Sequence, residues 1–471
     1  MKVKHCWAIA WLLAGVSASV PAQDAAPGPV QRQLREVYRE LVEINTTDSA
    51  GSCTAAAQAM GARLRKAGLP AADVQVLVPP GGPKKGNLVA RLRGSGAKRP
   101  LLLLAHIDVV EAKRADWKRD PFKLVEEDGY FYARGASDNK AMAAAFVANL
   151  MRFRAENYRA ERDIILALTC DEEIIPSPYN GVEFLLKSHR ASLDAELALN
   201  EGGGGQFDKS GRRVRLSILA GEKVFQSYRL EVTNAGGHSA SPRPDNAIYD
   251  LARGLARLGD FEFPAKLLPI TRASFARMAE ILTGPEAADM KAVAAEPPDA
   301  AAIARLSRNP SYNAQLRSTC VATMAEAGEA TNSLPQRARA VVNCRVLPGE
   351  SVQEVRSTLM RVLDNERITI TPMGEAVLSP PAPLDARILA PVEAIAADMW
   401  PGVPLVPTMA GGATDARFLN NAGIPTYGIS GMFHDAENTG VHGLNERLPV
   451  RSLYEGQEFL YRLVKALAGG R

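Results

Sequence analysis

Cysteine, an excess charge of either sign and long apolar runs are all scarce in the 471-residue chain. Its 5 cysteines include no CxxC pair and no regular spacing, which excludes a disulfide-framework scaffold and gives no convergent set of thiolates for a metal. Basic residues number 56 against 52 acidic, a net charge of +4. That balance excludes the electrostatic footprint of a nucleic-acid or anionic-membrane binder. No internal repeat is visible. At 46% hydrophobic and 23% charged residues, the composition is that of an ordinary soluble protein, not a fibrous, disordered or multi-span membrane chain. The length exceeds one typical domain.

The longest apolar run lies at the N-terminus. Lys2 and Lys4 precede CWAIAWLLAGVSASV, and Val20-Pro-Ala22 ends on a small residue. Residues 1–22 therefore read as a secretory signal peptide cleaved after Ala22, which implies a secreted or periplasmic protein with no membrane attachment after removal. An N-terminal anchor is the alternative, although the run is short of the roughly 20 residues a span needs. Four cysteines remain: Cys53, Cys170, Cys320 and Cys344. Their small or apolar neighbours suggest buried free thiols, with a Cys320–Cys344 bridge left open because both lie in strand-like runs.

Strand-like and helical patterns alternate through the first half. Apolar residues at helical spacing mark helices over 30–44, 55–67, 140–155 and 181–189. Strands are expected over 87–94, 101–110, 163–173 and 196–203. This alternation predicts an α/β sandwich with a largely parallel sheet. The pattern changes after Gly221. Strands over 223–234, 337–348 and 366–372 and helices over 246–258 and 351–365 read as a small α+β module. The α/β style returns near residue 376. The expected division is a catalytic domain of 28–221 and 376–471 with an inserted module of 222–375. Within the insert, Thr283–Ala302 is rich in Ala, Pro and Glu and reads as a mobile segment.

Five motifs place polar groups where strands end. Four leucines lead into Ala105-His106-Ile107-Asp108, and ligands in open α/β sheets bind at the carboxyl ends of strands. A metal-bound imidazole commonly has a carboxylate nearby to orient it, which suits Asp108 beside His106. Asp138, in Arg134-Gly-Ala-Ser-Asp138-Asn-Lys140, reads alone as either a ligand or a helix cap. Cys170-Asp171-Glu172-Glu173 sets three carboxylates at the end of an apolar strand, a costly arrangement that a divalent cation relieves. Leu199-Asn-Glu201 runs into four glycines with no GK[ST] after them, so a phosphate cradle is disfavoured and Glu201 is the candidate ligand. The fifth motif is Gly440-Val-His442-Gly-Leu-Asn-Glu446. Two His and several carboxylates fit zinc or a similar metal, and a paired site could activate a bridging water.

In this order the motifs HIDVV, ARGASDNKA, DEE, NEGG, GGHSASP, TNSLP…NCR, GGATDAR and GVHGLNER make the chain resemble the di-zinc exopeptidase and amidohydrolase family. That family includes carboxypeptidase S, aminoacylase, acetylornithine deacetylase, succinyl-diaminopimelate desuccinylase and glutamate carboxypeptidase. The resemblance runs from about Val30 to the C-terminus, and YNAQLRSTCVAT and VNCRVLPG look most like the carboxypeptidase S and aminoacylase branch. It implies a three-layer zinc-peptidase catalytic domain with an inserted dimerisation or lid domain. His106, Asp138 and Glu201 would bind one Zn2+, and Asp138, Glu173 and His442 the other, with Asp138 bridging. Co2+ and Mn2+ are alternative metals. Asp108 would orient His106, and Glu172 would be the general base. Asn200 stands where the family often has Asp, which leaves the ligand role to Glu201. His238 would stabilise the tetrahedral oxyanion from a partner subunit, implying a homodimer through the insert. Asn332, Arg345, Gly411, Gly412, Thr414 and Arg417 match substrate-binding positions, with Arg345 or Arg417 as a clamp for a substrate carboxylate. His189 and His434 match nothing and read as surface-helix and loop residues.

The leading expectation is a secreted zinc exopeptidase, carboxypeptidase- or dipeptidase-like, that cleaves an amide next to a residue with a free carboxylate. The alternative is an N-acyl-amino-acid deacylase. The partner in either case is a small peptide or N-acyl amino acid, with no nucleic acid. A one-metal hydrolase and a catalytically dead binding protein remain as further readings, the latter opposed by the presence of Glu172 and every ligand position.

Overall fold

A computed structural model describes residues 26–436 and 440–470. The expected signal peptide at 1–22 lies outside the described residues. The large sheet has 10 strands. At its centre Ile164–Thr169, Leu101–His106, Leu197–Asn200 and Thr426–Gly428 run parallel and side by side. These strands are apolar and almost wholly buried because helices cover both faces, the reason parallel strands read as continuous hydrophobic runs. The flanks are antiparallel, at Val74–Leu77 with Asn87–Leu92 on one side and Gly205–Phe207 with Arg213–Glu222 on the other. The sheet is thus mixed, and the expected α/β class holds. The Ala-rich helix Lys140–Ala155 lies between the sheet and the outer helices Pro29–Glu43 and Val450–Ala468, and all three contribute to the largest hydrophobic core.

A second sheet of four antiparallel strands has the order Thr319–Ala327, Arg337–Val346, Val224–Thr233, Thr369–Met373. Helices Ala247–Asp260 and Val352–Leu363 close its inner face around a separate core. A single residue, Lys223, joins the large-sheet strand Arg213–Glu222 to the small-sheet strand Val224–Thr233. Thr319–Ala327 is an edge strand, exposed from Val321 onward.

Two expectations need correction. The cysteines are not free thiols. Cys53 opens the helix Cys53–Lys66, and Cys170 follows the strand Ile164–Thr169; they are bridged with a Cα–Cα separation of 6.0 Å. Cys320 and Cys344 sit directly opposite each other on neighbouring strands and are bridged at 4.1 Å. Tertiary pairing across 117 residues leaves no local sequence signal. The stretch expected to be mobile is helical instead. Gly284–Ala294 and Ala300–Leu306 pack with Pro269–Ile281 and Pro310–Leu316 around Phe275, Met290, Val293 and Leu306. Ala and Glu are strong helix formers, and Pro285 lies in the first turn, where its missing N–H is harmless.

Candidate active site

The C-terminal ends of the parallel strands converge on one patch. His106 is the last residue of its strand, Glu172 and Glu173 follow Thr169, and Glu201 follows Asn200. Asp138 precedes the helix Lys140–Ala155, and His442 comes from the loop after the last strands of the large sheet. The structure brings these residues into two groups that share Asp138. His106 Nε2 lies 3.0 Å from Asp138 Oδ1 and 3.2 Å from Glu201 Oε2. His442 Nε2 lies 3.1 Å from Asp138 Oδ2 and 3.1 Å from Glu173 Oε1. Each imidazole nitrogen therefore faces two carboxylates, and Asp138 offers one oxygen to each group.

The electrostatics of this patch are those of a site built for a cation. Burial pushes the Glu173 carboxyl up to about 7, and burial with Glu201 nearby raises Glu172 well above the ordinary range. Burial also raises Glu201, against the opposing pull of His106. Asp138 is held low in spite of its burial by hydrogen bonds to His106 and His442. Burial opposes a charge on His106, but Glu201, Asp108 and Asp138 overcome it and raise its pKa; Asp138 does the same for His442, to about 9. Five carboxylates around two imidazoles are too much negative charge for a buried cleft unless neutralised. One of them, Asp108, has a buried Oδ1 with no hydrogen-bond partner among the described residues. The donor set of imidazole nitrogens and carboxylate oxygens fits a pair of divalent ions of the zinc type.

Asp108 sits where the sequence suggested, with a refinement. His106 Nδ1 is 3.1 Å from the Asp108 carbonyl and 3.5 Å from its carboxylate, and the carboxylate's other oxygen accepts from the Glu173 N–H. Backbone and side chain of Asp108 thus tie two motifs together.

Sequence reasoning missed the clamp beneath Asp138. Glu446 is fully buried and accepts from the backbone N–H groups of Gly135, Ser137 and Asp138 and from the Arg134 guanidinium. One carboxylate so fixes the Asp138 loop against the loop carrying His442. The signal was present, since Glu446 closes the last motif four residues after His442. Lys140, also buried, donates to the Ile44 carbonyl and is depressed to about 7 by burial. His434 is another correction. It lies on the short strand Phe433–His434 with its Nδ1 3.4 Å from Ser137 Oγ, and burial lowers its pKa.

The residues expected to meet substrate fall in three places. Arg417 lines a cavity of about 140 Å3 together with Ile174, Lys223, Phe225, Ser379 and Ala413. Arg345, half-buried, stacks over Phe225; neither arginine has an ion pair at contact distance among the described residues, although the charge of Arg417 acts on the nearby Glu222 and Asp415 carboxyls. Thr414 donates through its N–H to Glu222 and receives from Asn200 Nδ2. Gly411 and Gly412 are exposed, and a Cβ on either would meet nothing within 4 Å, so open space lies in front of that turn. His238 and Asn332 are not brought to the cluster. They are exposed on the ribbon formed by Gly237–His238 and Ser333–Leu334, where His238 Nδ1 accepts from the Ala240 N–H and the Asn332 carbonyl from the Ser239 N–H.

The sequence profile of peptidase family M20/M25/M40 matches residues 102–466. The human N-fatty-acyl-amino acid synthase/hydrolase PM20D1 is 27% identical over 378 residues, which is 78% of this chain and 74% of the relative. Probable carboxypeptidase S-like 2 of Dictyostelium discoideum is also 27% identical over 378 residues, 78% of this chain and 71% of the relative. The M20 family metallo-carboxypeptidase Sso-CP2 of Sulfolobus solfataricus shares the fold, with a TM-score of 0.65 at 20% identity over 93% of this chain and 99% of that one. With the paired carboxylate–imidazole groups at the strand ends and a profile match over most of its length, the chain belongs to peptidase family M20/M25/M40 and is a metal-dependent hydrolase of that family.

Proposed function

We propose that the protein is an exported zinc exopeptidase that hydrolyses the amide bond next to a residue with a free carboxylate. The observation that carries this reading is the juxtaposition of the Asp138-bridged cluster with a cavity edged by Arg417 and, stacked on its wall, Arg345. Zinc bound by His106, Asp138 and Glu201 and by Asp138, Glu173 and His442 supplies Lewis-acid activation of water and of the amide carbonyl. Glu172 is the general base. Its raised pKa suits a group that takes a proton from the attacking water and gives it to the leaving nitrogen. Asp108 holds His106, and Glu446 holds the Asp138 loop. Arg345 and Arg417 clamp the substrate carboxylate, with Gly411, Gly412 and Thr414 shaping its surroundings; Asn332, exposed beside His238, would reach substrate only across the subunit interface.

His238 of the partner subunit hydrogen-bonds the developing oxyanion. Its exposed position away from its own cluster, together with the unpaired edge strand Thr319–Ala327, supports a homodimer through residues 222–375, with 28–221 and 376–471 as the catalytic domain. Two disulfides support export to an oxidising compartment. Among the described residues no helix is long and apolar enough to cross a membrane.

The relatives named as acting on N-fatty-acyl amino acids favour a second reading, an N-acyl-amino-acid deacylase with the same carboxylate clamp. A panel of dipeptides and N-acyl amino acids, each with and without chelator and with a C-terminally amidated counterpart, tests both. Chelator-sensitive hydrolysis lost on amidation is expected. Cleavage indifferent to amidation would remove the clamp, and the best substrates choose between peptidase and deacylase.

A further inference from the structure

The cluster borders a second cavity. It holds about 500 Å3, a volume suited to a small ligand, and shares no lining residue with the Arg417 cavity. The Arg417 cavity begins at Ile174, just past Glu173; the second is bounded by Asp138 and Glu201 themselves. An amide laid over the cluster with its free carboxylate at Arg345 and Arg417 would leave the second cavity, which Asp138 and Glu201 bound, to its acyl half.

The wall of that cavity is mixed, with Met142 and Met432 beside several polar side chains. Gln206, Ser217, Ser430 and His434 line it, and Arg215 stands among them on the strand Arg213–Glu222. Arg215 is an unusual guanidinium. Its Nη1 donates only to the Met278 thioether, at 3.2 Å, and its Nε is buried with no acceptor at all. A thioether is a weak acceptor, and an arginine carries five donors. No carboxylate pairs with Arg215 among the described residues, while its neighbour Arg213 is paired with Glu455. A half-buried guanidinium with a buried Nε and no anion beside it is left short of acceptors, and a ligand that brings one is favoured.

We propose that this cavity is an acyl-side subsite in which Arg215 recognises a carboxylate, so that the preferred substrates are acidic at both ends: an amide whose acyl half is a dicarboxylic acyl group or an acidic amino-acid residue. This rests on the hydrolase reading above and names the substrate class of the same site. A long fatty acyl chain, by contrast, would lay methylenes against Arg215 and His434, leaving polar groups desolvated without partners. The chain thereby differs from the relatives named for N-fatty-acyl substrates.

The test compares N-glutaryl, N-pentanoyl and N-dodecanoyl derivatives and the glutamyl dipeptide of one leaving amino acid. The glutaryl or glutamyl form is expected to exceed the pentanoyl form in kcat/KM by about tenfold or more, and the dodecanoyl form to be slowest. In R215Q that preference collapses, the loss on the acidic substrate being about tenfold or more beyond the loss on the neutral one, whereas R215K retains part of it. The glutaryl and glutamyl arms show which acidic acyl half the subsite takes. Equal losses on acidic and neutral substrates, or fastest cleavage of the dodecanoyl form, overturn the proposal but leave the hydrolase reading intact. Binding to the Glu172→Ala chain, titrated by calorimetry with the same ligands, reads the subsite without turnover. Equal affinity for glutaryl and pentanoyl forms there overturns the subsite. Absence of hydrolysis of every substrate by the unaltered chain, with that binding preference present, overturns the hydrolase reading alone.

Discussion

Glu172 and His442 differ in what their removal should do. Glu172→Ala should abolish turnover, by more than about a hundredfold for a lost general base, while the metal content stays unchanged. Activity above a few per cent of the original would end that assignment. His442 is a proposed ligand exposed on a loop, so His442→Ala should lower metal per chain as well as rate, read by elemental analysis. Glu446→Gln should lower metal content too, although Glu446 touches no ligand atom in the cluster. It leaves Arg134 without its anion and removes one acceptor from the N–H groups of the Asp138 loop, at about 1–3 kcal/mol for a buried donor left unmade. Glu222, pushed up to about 7 chiefly by burial, gives a pH signature. Its folded-state pKa is raised, so the stability it contributes is full below the unfolded value and is lost as pH rises through about 7, on the order of 3 kcal/mol. Glu222→Gln should therefore melt higher than the original at pH 8, with the difference fading below pH 5. At this scale the sequence told most where chemistry repeats at strand ends. As candidate ligands, His106, Glu173 and Glu201 were legible because apolar strands run into them, while Asp138 and His442 lie on loops and entered through the family motifs. Glu446, Arg215 and His434 were not, since their significance lies in which partners surround them or are missing.

Helices and strands were read within a few residues where the apolar periodicity was strong, as in the helix Pro29–Glu43, which buries Leu34, Val37, Leu41 and their neighbours on one face. The segment over 284–302 was misread because Ala, Glu and Pro suit both a linker and a short capped helix, and only contact with Phe275 and Leu316 distinguishes them. The disulfide Cys53–Cys170 acts at the scale of elements. It pins the first turn of one helix to the end of a central strand, directly before Asp171-Glu172-Glu173. In the chain-entropy account, a closed loop of 117 residues is worth up to about 5 kcal/mol and one of 24 residues about 3.5 kcal/mol. Replacing Cys53 and Cys170 by Ser should consequently lower the urea midpoint more than replacing Cys320 and Cys344. The opposite order would show that local packing, not loop length, governs.

The exposed side chains of Val321 and Met324 on the edge strand, at 59% and 67%, become the test of the whole assembly. In the proposed homodimer this strand is an interface, and Val321→Asp with Met324→Asp should give a monomer by sedimentation that has lost turnover without losing metal. An active monomer would detach His238 from catalysis in trans. Movement of residues 222–375 over the catalytic domain should also change the small-angle scattering profile when a product dipeptide is added, and identical profiles would speak against it.

That motion has a geometry set by Lys223. The chain first crosses from the large sheet to the small one through this one residue, whose Nζ is tied to the carbonyls of Ala314 and Arg317, and returns after Met373. The strand that leaves it, Val224–Thr233, is 10 residues long, about 34 Å at the usual rise. Arg345, paired with Phe225, sits beside the pivot; His238 sits beyond the far end. A turn of about 10° at the pivot would shift the arginine by little and sweep the imidazole through about 6 Å. Under that proposal the protein would be a lever, gripping its ligand near the fulcrum and delivering the long stroke at the tip.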